Sequence, residues 1–374
     1  MQKLSQVEAG WSGQVEEAGL KLGIVCVHYH AAALAERAVK AASEDARRAG
    51  LEVDAVIVDN GSTAEEAEAL RRIGIPVRSQ GNVGYAGGVN FGAELLPEVD
   101  AWLFMNPDVL VEDGCIEALV QELRNGAAVA GPRFFWDRAD GFQLPPTESC
   151  GVAAELGRIR AAVDPDRATA ARRSWRRHAR RHWLASRVLS TYDLSGAMLA
   201  IQARAWHRVG PFDPGYSLYF EETDWLQRAR ALRERAVYVP DARAVHLYAQ
   251  STPAESRIAR WFEESKERFR ELHYGRIPAL LLSRLESRVS RAAPPPIEPW
   301  PDTEPESWVE WVEISPSLTG FPAAGLRLEP ARKGEILSAG LIEQMAPGTY
   351  FIRLLAGDEE KALYRFERRA DPNA

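Results

Sequence analysis

Leu22-Gly-Ile-Val-Cys-Val27 is a short apolar run, and it opens a repeating pattern that predicts the fold. A helical pattern follows at residues 32–48, and a second apolar run, Ala55-Val-Ile-Val58, comes next. The pattern repeats with a helix at residues 64–73 and reaches a third core strand, Ala101-Trp-Leu-Phe-Met105. Apolar runs that alternate with helices are typical of an α/β fold, in which helices flank a largely parallel sheet. We expect the ligand site at the carboxyl ends of these strands.

The composition is that of a globular protein with a sizeable core. The 374 residues are 46% hydrophobic and 26% charged, and the net charge is −7. This charge argues against a nucleic-acid partner, and three scattered cysteines argue against a disulfide framework or a zinc site. Residues 1–20 do not read as a signal peptide, and no apolar run is long enough to span a bilayer. We therefore expect a cytoplasmic protein, with any membrane contact at the inner surface.

Polar residues follow the predicted core strands. Tyr29 comes after the first strand, Asp59-Asn-Gly-Ser62 ends the second, and Asn106-Pro-Asp108 follows the third. A carboxylate at a strand end can accept hydrogen bonds from a nucleobase or a ribose, or can bind a metal. Each motif alone is more often a turn or a helix cap.

Residues 82–92, Asn-Val-Gly-Tyr-Ala-Gly-Gly-Val-Asn-Phe-Gly, carry four glycines, and a helix is predicted at residues 87–96. Glycine lets the backbone approach a ligand closely, and a helix N-terminus favours phosphate. The stretch therefore indicates either a phosphate cradle or a tight loop. It is not the dinucleotide fingerprint, since Gly-x-Gly-x-x-Gly does not follow the first strand.

Tyr219-Phe-Glu-Glu-Thr-Asp224 places three carboxylates within four positions, after the turn-forming run Gly210-Pro-Phe-Asp-Pro-Gly215. A helix is predicted at residues 225–232, so the acids lie where a loop enters a helix. The free N–H groups and the dipole of a first helical turn stabilise negative charge there. Alone, the pattern is typical of an acidic helix start.

Taken in order, these motifs resemble the inverting family 2 glycosyltransferases, and most closely their rhamnosyltransferase-like members. The resemblance covers residues 22–275 and includes Leu194-Ser-Gly-Ala-Met198, Val239-Pro240 and His246. It implies a GT-A fold (a Rossmann-like mixed sheet flanked by helices), a nucleotide-sugar donor, and Mg²⁺ or Mn²⁺. It also implies a glycan or lipid-linked saccharide acceptor, and a dTDP- or UDP-sugar rather than a GDP-sugar.

The resemblance implies a role for each matching residue. Glu222 occupies the position of the catalytic base, where many relatives have Asp, and Glu221 remains an alternative. Asp108 would bind the metal, with Asn106 in place of the first acid of the family's Asp-x-Asp element, and His246 would lie near the metal and the diphosphate. The donor would be bound by Tyr29, Asp59, Asn82, Gly84, Tyr85, Asn90, Asn106 and Asp108. The acceptor would be bound by Gly196, Ala197 and Asp224.

Two histidines depart from the family pattern. His28 and His30 flank Tyr29, where relatives commonly have Thr and Asn. Residues two apart on a strand point the same way, so a histidine metal site is one interpretation. No carboxylate or cysteine accompanies them locally, which favours altered contacts to the base or ribose instead.

Residues 150–190 form an Arg-rich insertion. Trp175, Ala179, Trp183 and Leu184 recur there at helical spacing. The arginines are Arg167, Arg172, Arg173, Arg176, Arg177, Arg180, Arg181 and Arg187. Three interpretations remain open: a helix at 167–189 on an anionic membrane, a flap that clamps phosphates, or a solvated helix paired with acidic neighbours.

The chain changes character after the core. Helices are predicted at 254–272 and 278–289, followed by a Pro-rich linker at 294–305 and by short strands from residue 308 onward. We predict an N-terminal extension at 1–20, a GT-A domain at 21–275, a helix and linker at 276–305, and a small β-sandwich at 306–374. The sandwich aromatics would serve core packing, a homo-oligomer interface or a sugar platform.

The predicted function is transfer of a sugar, rhamnose or another hexose, from a nucleotide-diphosphate donor to a hydroxyl during surface polysaccharide synthesis. One alternative is a catalytically inactive carbohydrate-binding or scaffold protein. The other is a sugar-1-phosphate nucleotidylyltransferase, which would need a basic, glycine-rich loop that residues 22–34 lack.

Overall fold

A computed structural model describes residues 20–72, 74–137, 141–148, 150–247, 256–289, 296–301, 308–328 and 336–369. The predicted N-terminal extension lies almost entirely outside these residues. Half of the predicted Pro-rich linker also lies outside them.

The first sheet is mixed and has nine strands among the described residues. In chain order they are β1 (Lys21–His28), β2 (Glu52–Asp59), β3 (Val77–Ser79), β4 (Ala101–Met105), β5 (Val109–Val111), β6 (Val129–Phe135), β7 (Leu189–Ser190), β8 (Met198–Gln202) and β9 (Ala236–His246). Their order across the sheet is β3-β2-β1-β4-β8-β6-β9-β5, with β7 paired to β9. The β3-β2-β1-β4 half is parallel, whereas β8 is antiparallel to both β4 and β6. The carboxyl ends of β1, β2 and β4 therefore meet at one edge.

Helices cover both faces of this sheet. In chain order, the helices of the described residues are α1 (Ala32–Arg48), α2 (Ala64–Arg71), α3 (Gly84–Leu95), α4 (Cys115–Arg124), α5 (Val152–Ala161), α6 (Pro165–Trp183), α7 (Ala203–Val209), α8 (Glu221–Ala231), α9 (Ser256–Tyr274), α10 (Arg276–Ser287) and α11 (Ala339–Gln344). Helices α1 and α4 pack on one face, and α3, α7 and α8 pack on the other. Ile24 and Cys26 of β1 belong to the first core and Val25 and Val27 to the second, because successive strand residues point to opposite faces.

Two helices near the strand ends begin earlier than predicted. Helix α3 begins at Gly84 rather than at residue 87, because the Asn82 side chain accepts the Gly84 backbone N–H at 3.1 Å and turns the chain into the helix. Helix α8 begins at Glu221 rather than at residue 225. Glu221, Glu222 and Asp224 therefore occupy its first turn, where the helix dipole favours negative charge.

A second, smaller sheet follows near the C-terminus. Its strands are β10 (Glu298–Pro299), β11 (Trp311–Ser315), β12 (Ala324–Arg327), β13 (Gly348–Ala356) and β14 (Glu359–Arg368), in the order β10-β14-β13-β11-β12. The described residues form one sheet here, where we predicted two packed sheets. Helix α6 covers one face and a cluster that includes α11 covers the other, so helices supply the layers that a second sheet would have supplied. Gln143 bridges to Gly325 and ties this sheet to the first.

Helix α6, the Arg-rich helix, is a structural bridge. Its predicted apolar residues Trp175, Ala179 and Trp183 are buried with Trp311 and Phe321 of the C-terminal part. The aromatic face that membrane contact through residues 167–189 requires therefore lies inside the protein. Of the three interpretations, the structure agrees with the third in its pairing to acidic neighbours, but one side of the helix is buried and not solvated. No helix within the described ranges has both the length and the apolar character needed to cross a bilayer.

Arg176 makes the most buried ion pair of α6. Its Nε and Nη2 atoms donate to the Glu313 carboxylate at 2.6 and 2.8 Å, and Nη2 also donates to Glu360 at 3.0 Å. The side chains of Arg176 and Glu313 are 2% and 1% exposed. A buried bidentate pair is stable only while both partners are present, since either one alone is an uncompensated charge.

We therefore expect Arg176→Ala to destabilise the protein by about 3–5 kcal/mol, because it leaves Glu313 charged and buried. The neighbouring exposed Arg177 provides the matched control, and Arg177→Ala should change the stability by less than about 0.5 kcal/mol. Urea unfolding followed by tryptophan fluorescence measures both variants. Equal midpoints for the two would show that α6 does not depend on this pair.

Candidate active site

Asp59 ends β2 and organises the loop that follows it. Its carboxylate accepts the backbone N–H of Ser62 at 2.9 Å and the hydroxyl of Ser79 at 3.0 Å. Burial acts to raise the pKa of Asp59, but these hydrogen bonds outweigh it, and the pKa lies below its ordinary value. Asp59 is thus an ionised carboxylate that also anchors residues 60–62 at the strand end.

His28 and His30 diverge, so they do not form the histidine pair that strand alternation suggested. Strand β1 ends at His28, and alternation therefore does not extend to His30. His28 is buried with Nε2 3.6 Å from the Asp59 carboxylate, and burial lowers its pKa. His30 has a left-handed φ of 52°, and its Nδ1 lies 2.6 Å from Glu66. Tyr29, between them, is partly exposed at the strand end.

Asn60 holds the glycine-rich segment in place, a role that the sequence did not reveal. Its Oδ1 accepts the Val83 backbone N–H at 3.2 Å, and its Nδ2 donates to the Gly84 carbonyl at 3.1 Å. Nδ2 also lies 3.3 Å from the Asn82 side-chain oxygen. Asn60 is 4% exposed, so these bonds replace the water that it gives up. The end of β2 and the start of α3 therefore form one rigid unit.

Gly84 and Tyr85 connect this unit to the rest of the site. Gly84 has a φ of +78°, and a Cβ there would lie 2.6 Å from the Ser217 carbonyl oxygen, so only glycine fits. The Tyr85 N–H donates to the same carbonyl at 3.3 Å. The Tyr85 hydroxyl lies 3.5 Å from the Gly196 carbonyl oxygen. The start of α3 thus contacts both the turn before α8 and the segment before β8.

Asn90 is engaged within the protein. Its side-chain amide donates to the Phe212 carbonyl at 2.8 Å and accepts the Phe212 N–H at 3.0 Å. The resemblance implied donor binding, but both polar atoms of this side chain already have backbone partners. Asn90 therefore fixes the turn at residues 210–215 against α3, and so positions the chain that leads to α8.

Asp108 and His246 lie together beyond the end of β4. The Asp108 carboxylate is 3.4 Å from Nε2 of His246, and the two side chains are 1% and 12% exposed. Their closeness follows from the antiparallel pairing of β5 with β9, which sets Val109 opposite His246. The Asn106 N–H donates to the Ala197 carbonyl at 2.8 Å, so the segment before β8 contacts this cluster as well.

The pair is suited to a divalent cation that brings further ligands with it. Mg²⁺ and Mn²⁺ favour carboxylate oxygen, and imidazole nitrogen is also a ligand for transition metals. Within the described ranges, no three His, Cys, Asp or Glu side chains gather into a complete metal site. A cation bound by Asp108 and His246 would therefore complete its coordination with phosphate oxygens and water, as Mg²⁺ commonly does.

Glu221 and Glu222 follow a strained turn. Tyr219 and Phe220 both have left-handed φ values, 66° and 70°, which bulky residues rarely adopt. Burial raises the pKa of Glu221, and the neighbouring Glu222 raises it further. Burial also raises the pKa of Glu222, opposed by backbone N–H groups that include that of Gly196. Both carboxyls therefore favour the neutral form more than an ordinary glutamate does.

Gly196 joins Glu222 to the segment that contacts Asn106. A Cβ on Gly196 would lie 2.6 Å from Cγ and 2.8 Å from Cδ of Glu222, so the two residues are in direct contact. The next residue, Ala197, accepts the Asn106 N–H. The contact with Glu222 and the contact with Asn106 are therefore made by two consecutive residues of this segment.

We expect Gly196→Ala to lower kcat by about 10²-fold, because the added methyl displaces the Glu222 carboxyl by roughly an ångström. Nucleotide binding should be unchanged, since Gly196 contacts the carboxyl and not the strand ends. Gly157→Ala in α5 is the control, because a Cβ there has nothing within 4 Å. A Gly196→Ala enzyme with the activity of the control would show that the carboxyl position is not critical.

Asp224 is engaged within α8 and with α9. It accepts from Nε of Arg228 at 2.8 Å and lies 2.8 Å from Nε2 of His273. Burial acts to raise its pKa, but these two partners lower the pKa below its ordinary value. The residue was expected to bind the acceptor, yet the structure uses it to tie α8 to α9.

A cavity of about 600 Å³ opens beside Glu222. Helices α5, α9 and α10 and the strained turn before α8 form its walls. Its aromatic residues are Tyr219, Phe220, Phe262, Phe269 and Tyr274, and its carboxylates are Glu148, Glu155, Glu222 and Glu286. Aromatic faces and carboxylates can stack on and hydrogen-bond to a saccharide, and the volume is typical of a ligand pocket. Sequence reasoning missed this cavity because its walls come from segments far apart in the chain.

Parts of the chain are similar to known glycosyltransferases. Residues 24–179 match the family described as Glycosyl transferase family 2. Over 219 residues the chain is 29% identical to the N-acetylglucosaminyl-diphospho-decaprenol L-rhamnosyltransferase of Mycobacterium tuberculosis, in strains CDC 1551 / Oshkosh and ATCC 25618 / H37Rv. That match covers 54% of this chain and 68% of the relative.

Two solved structures are similar at low sequence identity. GalNAc-T7 with UDP, GalNAc and Mn²⁺ is 14% identical with a TM-score of 0.47, and the match covers 73% of this chain and 54% of that one. The mannosyltransferase PcManGT from Pyrobaculum calidifontis, in complex with GDP-Man and Mn²⁺, is 13% identical with a TM-score of 0.43. That match covers 73% of this chain and 70% of the other. The family match, with the mixed sheet, confirms the predicted GT-A fold.

Proposed function

We propose that this transferase moves a sugar, with inversion, from a nucleotide-diphosphate donor to an acceptor hydroxyl, and the match of residues 24–179 to the family 2 glycosyltransferases supports the proposal. Glu222 is the base. The observation that carries the proposal is the position of this carboxyl, which lines the cavity and packs on Gly196, the residue before the Ala197 contact to Asn106.

The chemistry follows from that position. The acceptor hydroxyl enters from the cavity and gives its proton to Glu222 while its oxygen attacks the anomeric carbon. The new oxygen–carbon bond forms as the bond to the diphosphate breaks, and the diphosphate leaves with the electron pair. Because attack and departure occur on opposite faces of an oxocarbenium-like sugar, the anomeric configuration inverts.

The donor lies along the strand ends. Tyr29, Asp59 and Asn82 provide the side that receives the nucleoside, and the start of α3, with Gly84 and Tyr85, receives the diphosphate. Asp108 and His246 would hold Mg²⁺ or Mn²⁺, which when bound neutralises charge on the departing diphosphate. The cavity, whose walls carry aromatic, acidic and basic side chains, takes the acceptor saccharide.

The donor sugar and the acceptor are proposed by analogy with a relative of known name. The Mycobacterium tuberculosis relative is named for rhamnose transfer to a diphospho-decaprenol-linked sugar. By analogy we propose a dTDP- or UDP-linked rhamnose or hexose donor and a glycan or lipid-linked acceptor in surface polysaccharide synthesis. A cytoplasmic location and a homo-oligomer remain predictions.

A thermal-shift screen tests the donor site. The purified protein is heated with UDP-, dTDP- or GDP-sugars, each with Mn²⁺, Mg²⁺ or EDTA. A ligand at 100 times its Kd should add about 2.7 kcal/mol to the stability and raise Tm, because it binds only the native state. We expect a rise with one nucleotide class that EDTA abolishes. Folded protein that shows no rise with any nucleotide would favour the scaffold alternative.

A further inference from the structure

Helix α10 has an apolar outer face. Ile277, Leu280, Leu281 and Leu285 are 75%, 51%, 54% and 43% exposed. At 100° per residue these positions fall on one side of the helix. Leu272, at the end of α9, is 56% exposed as well. Single exposed leucines are ordinary, but an exposed stripe along a whole helix indicates an interaction site.

The opposite side of α10 already has its partners, so the helix cannot bury the stripe by turning over. Ala279 and Leu282 are buried on that side. Ser283 donates to Glu267 of α9 at 2.5 Å. Glu286 pairs with Lys266 and with Arg270 at 3.0 and 2.9 Å.

Cations share the outer face with the leucines. Arg284 and Arg288 lie between the apolar positions on the helical projection, and Arg276 begins the helix. All three are exposed, and none forms an ion pair with a carboxylate of the described residues. The single acid of α10, Glu286, faces α9 instead. The face is therefore apolar and positive at once.

We propose that this face of α10 lies on an anionic lipid surface. An apolar stripe with arginines is suited to the boundary between acyl chains and headgroups, since the leucines enter the apolar layer and the guanidinium groups reach lipid phosphates. Arginine is also the side chain that pairs best with phosphate. The helix at residues 167–189, for which membrane contact was predicted, buries its apolar face in the protein, whereas α10 exposes its apolar face to solvent.

Charge distinguishes a membrane from a second copy of this chain. A two-fold symmetric contact through this face would place the same patch against itself. Arg284 and Arg288 would then meet their own copies at the centre, without a described carboxylate on the face to compensate them. Lipid phosphates supply the missing negative charge.

The position of α10 beside the cavity indicates how a lipid contact would serve the reaction. This role of the contact rests on the proposed function. Glu286 of α10 and Val289, just beyond the end of this helix, line the Glu222 cavity. The same helix therefore forms both the outer face and part of a cavity wall. A lipid surface against α10 would bring the head of a lipid-linked saccharide next to the base.

Vesicle sedimentation tests the apolar part. The full chain is spun with phosphatidylcholine vesicles that contain or lack phosphatidylglycerol. We expect binding to the anionic vesicles, and a loss of about 10-fold or more in Leu280→Glu/Leu281→Glu. Leu184→Glu is the control, since Leu184 is also 51% exposed but ends α6, and it should bind as the native protein does.

The arginines test the charged part. Arg284→Gln/Arg288→Gln should weaken binding to anionic vesicles about 30-fold, because each basic residue near such a surface contributes about fivefold in affinity. Arg173→Gln/Arg177→Gln, exposed arginines on α6, should bind as the native protein does. The proposal is overturned if the native protein does not bind anionic vesicles. It is also overturned if sedimentation velocity shows that the native protein is a dimer and that Leu280→Glu/Leu281→Glu is a monomer. The nucleotide-dependent Tm of every variant reports the donor site separately, so failure here and failure of the proposed function are distinguishable.

Discussion

Glu222→Gln is expected to lower kcat by about 10³-fold while leaving nucleotide binding intact. A general base contributes about 10²–10⁴-fold, and the amide cannot accept the proton of the acceptor hydroxyl. The substitution preserves the volume that packs on Gly196, so the site keeps its shape. Initial rates with donor and acceptor, and the nucleotide-dependent Tm, separate chemistry from binding.

Glu221→Gln is the matched control, because the two acids are adjacent and both have raised pKa values. Burial favours the neutral form of Glu221, which a neutral amide resembles, so the activity should fall by less than about threefold, below the scale of a lost general base. If Glu221→Gln is the inactive variant and Glu222→Gln is active, the two roles are reversed.

The pH dependence distinguishes the same two acids. The acid limb of kcat/KM in the native enzyme should lie above the ordinary glutamate pKa of about 4.3, because burial raises the pKa of Glu222 and only its ionised form accepts a proton.

A carboxyl with a raised folded-state pKa destabilises the fold progressively as pH rises above its unfolded pKa. Glu221→Gln should accordingly raise Tm more at pH 8 than at pH 4.

Asp108→Asn is expected to lower kcat by about 10²–10³-fold and to abolish the effect of EDTA on nucleotide binding. The neutral amide is a weaker ligand than a carboxylate for Mg²⁺ or Mn²⁺, and charge on the departing diphosphate would be less well compensated. His246 alone then faces the phosphates. Isothermal titration of nucleotide with Mn²⁺ and with EDTA measures the metal dependence directly.

A second buried aspartate controls for folding. Asp45 accepts the backbone N–H groups of Gly114 and Ile116 at 2.8 Å each, at the start of α4 and far from the strand ends that form the site. Asp45→Asn should lower Tm without changing the metal dependence, since the substitution weakens only the capping of the N-terminus of α4. Native metal dependence in Asp108→Asn would remove Asp108 from the metal site.

The sequence by itself determined the parallel half of the sheet and the places where chemistry could occur. Runs such as residues 22–27 and 101–105 are local signals, and a buried strand needs nothing beyond its own apolar residues to be recognised. The order of the motifs around Asp59, Asp108 and Glu222 indicated the family because several weak local patterns agreed.

Only the tertiary structure decided what each apolar or polar face meets. Asn90 is engaged by Phe212, 122 residues away, and Arg176 by Glu313, 137 residues away. Periodicity predicted that α6 and α10 each have an apolar side. The apolar side of α6 is buried in the protein, whereas that of α10 is exposed to solvent. A sequence pattern reports the character of a surface, whereas the partner of that surface is fixed by long-range packing that no local window contains.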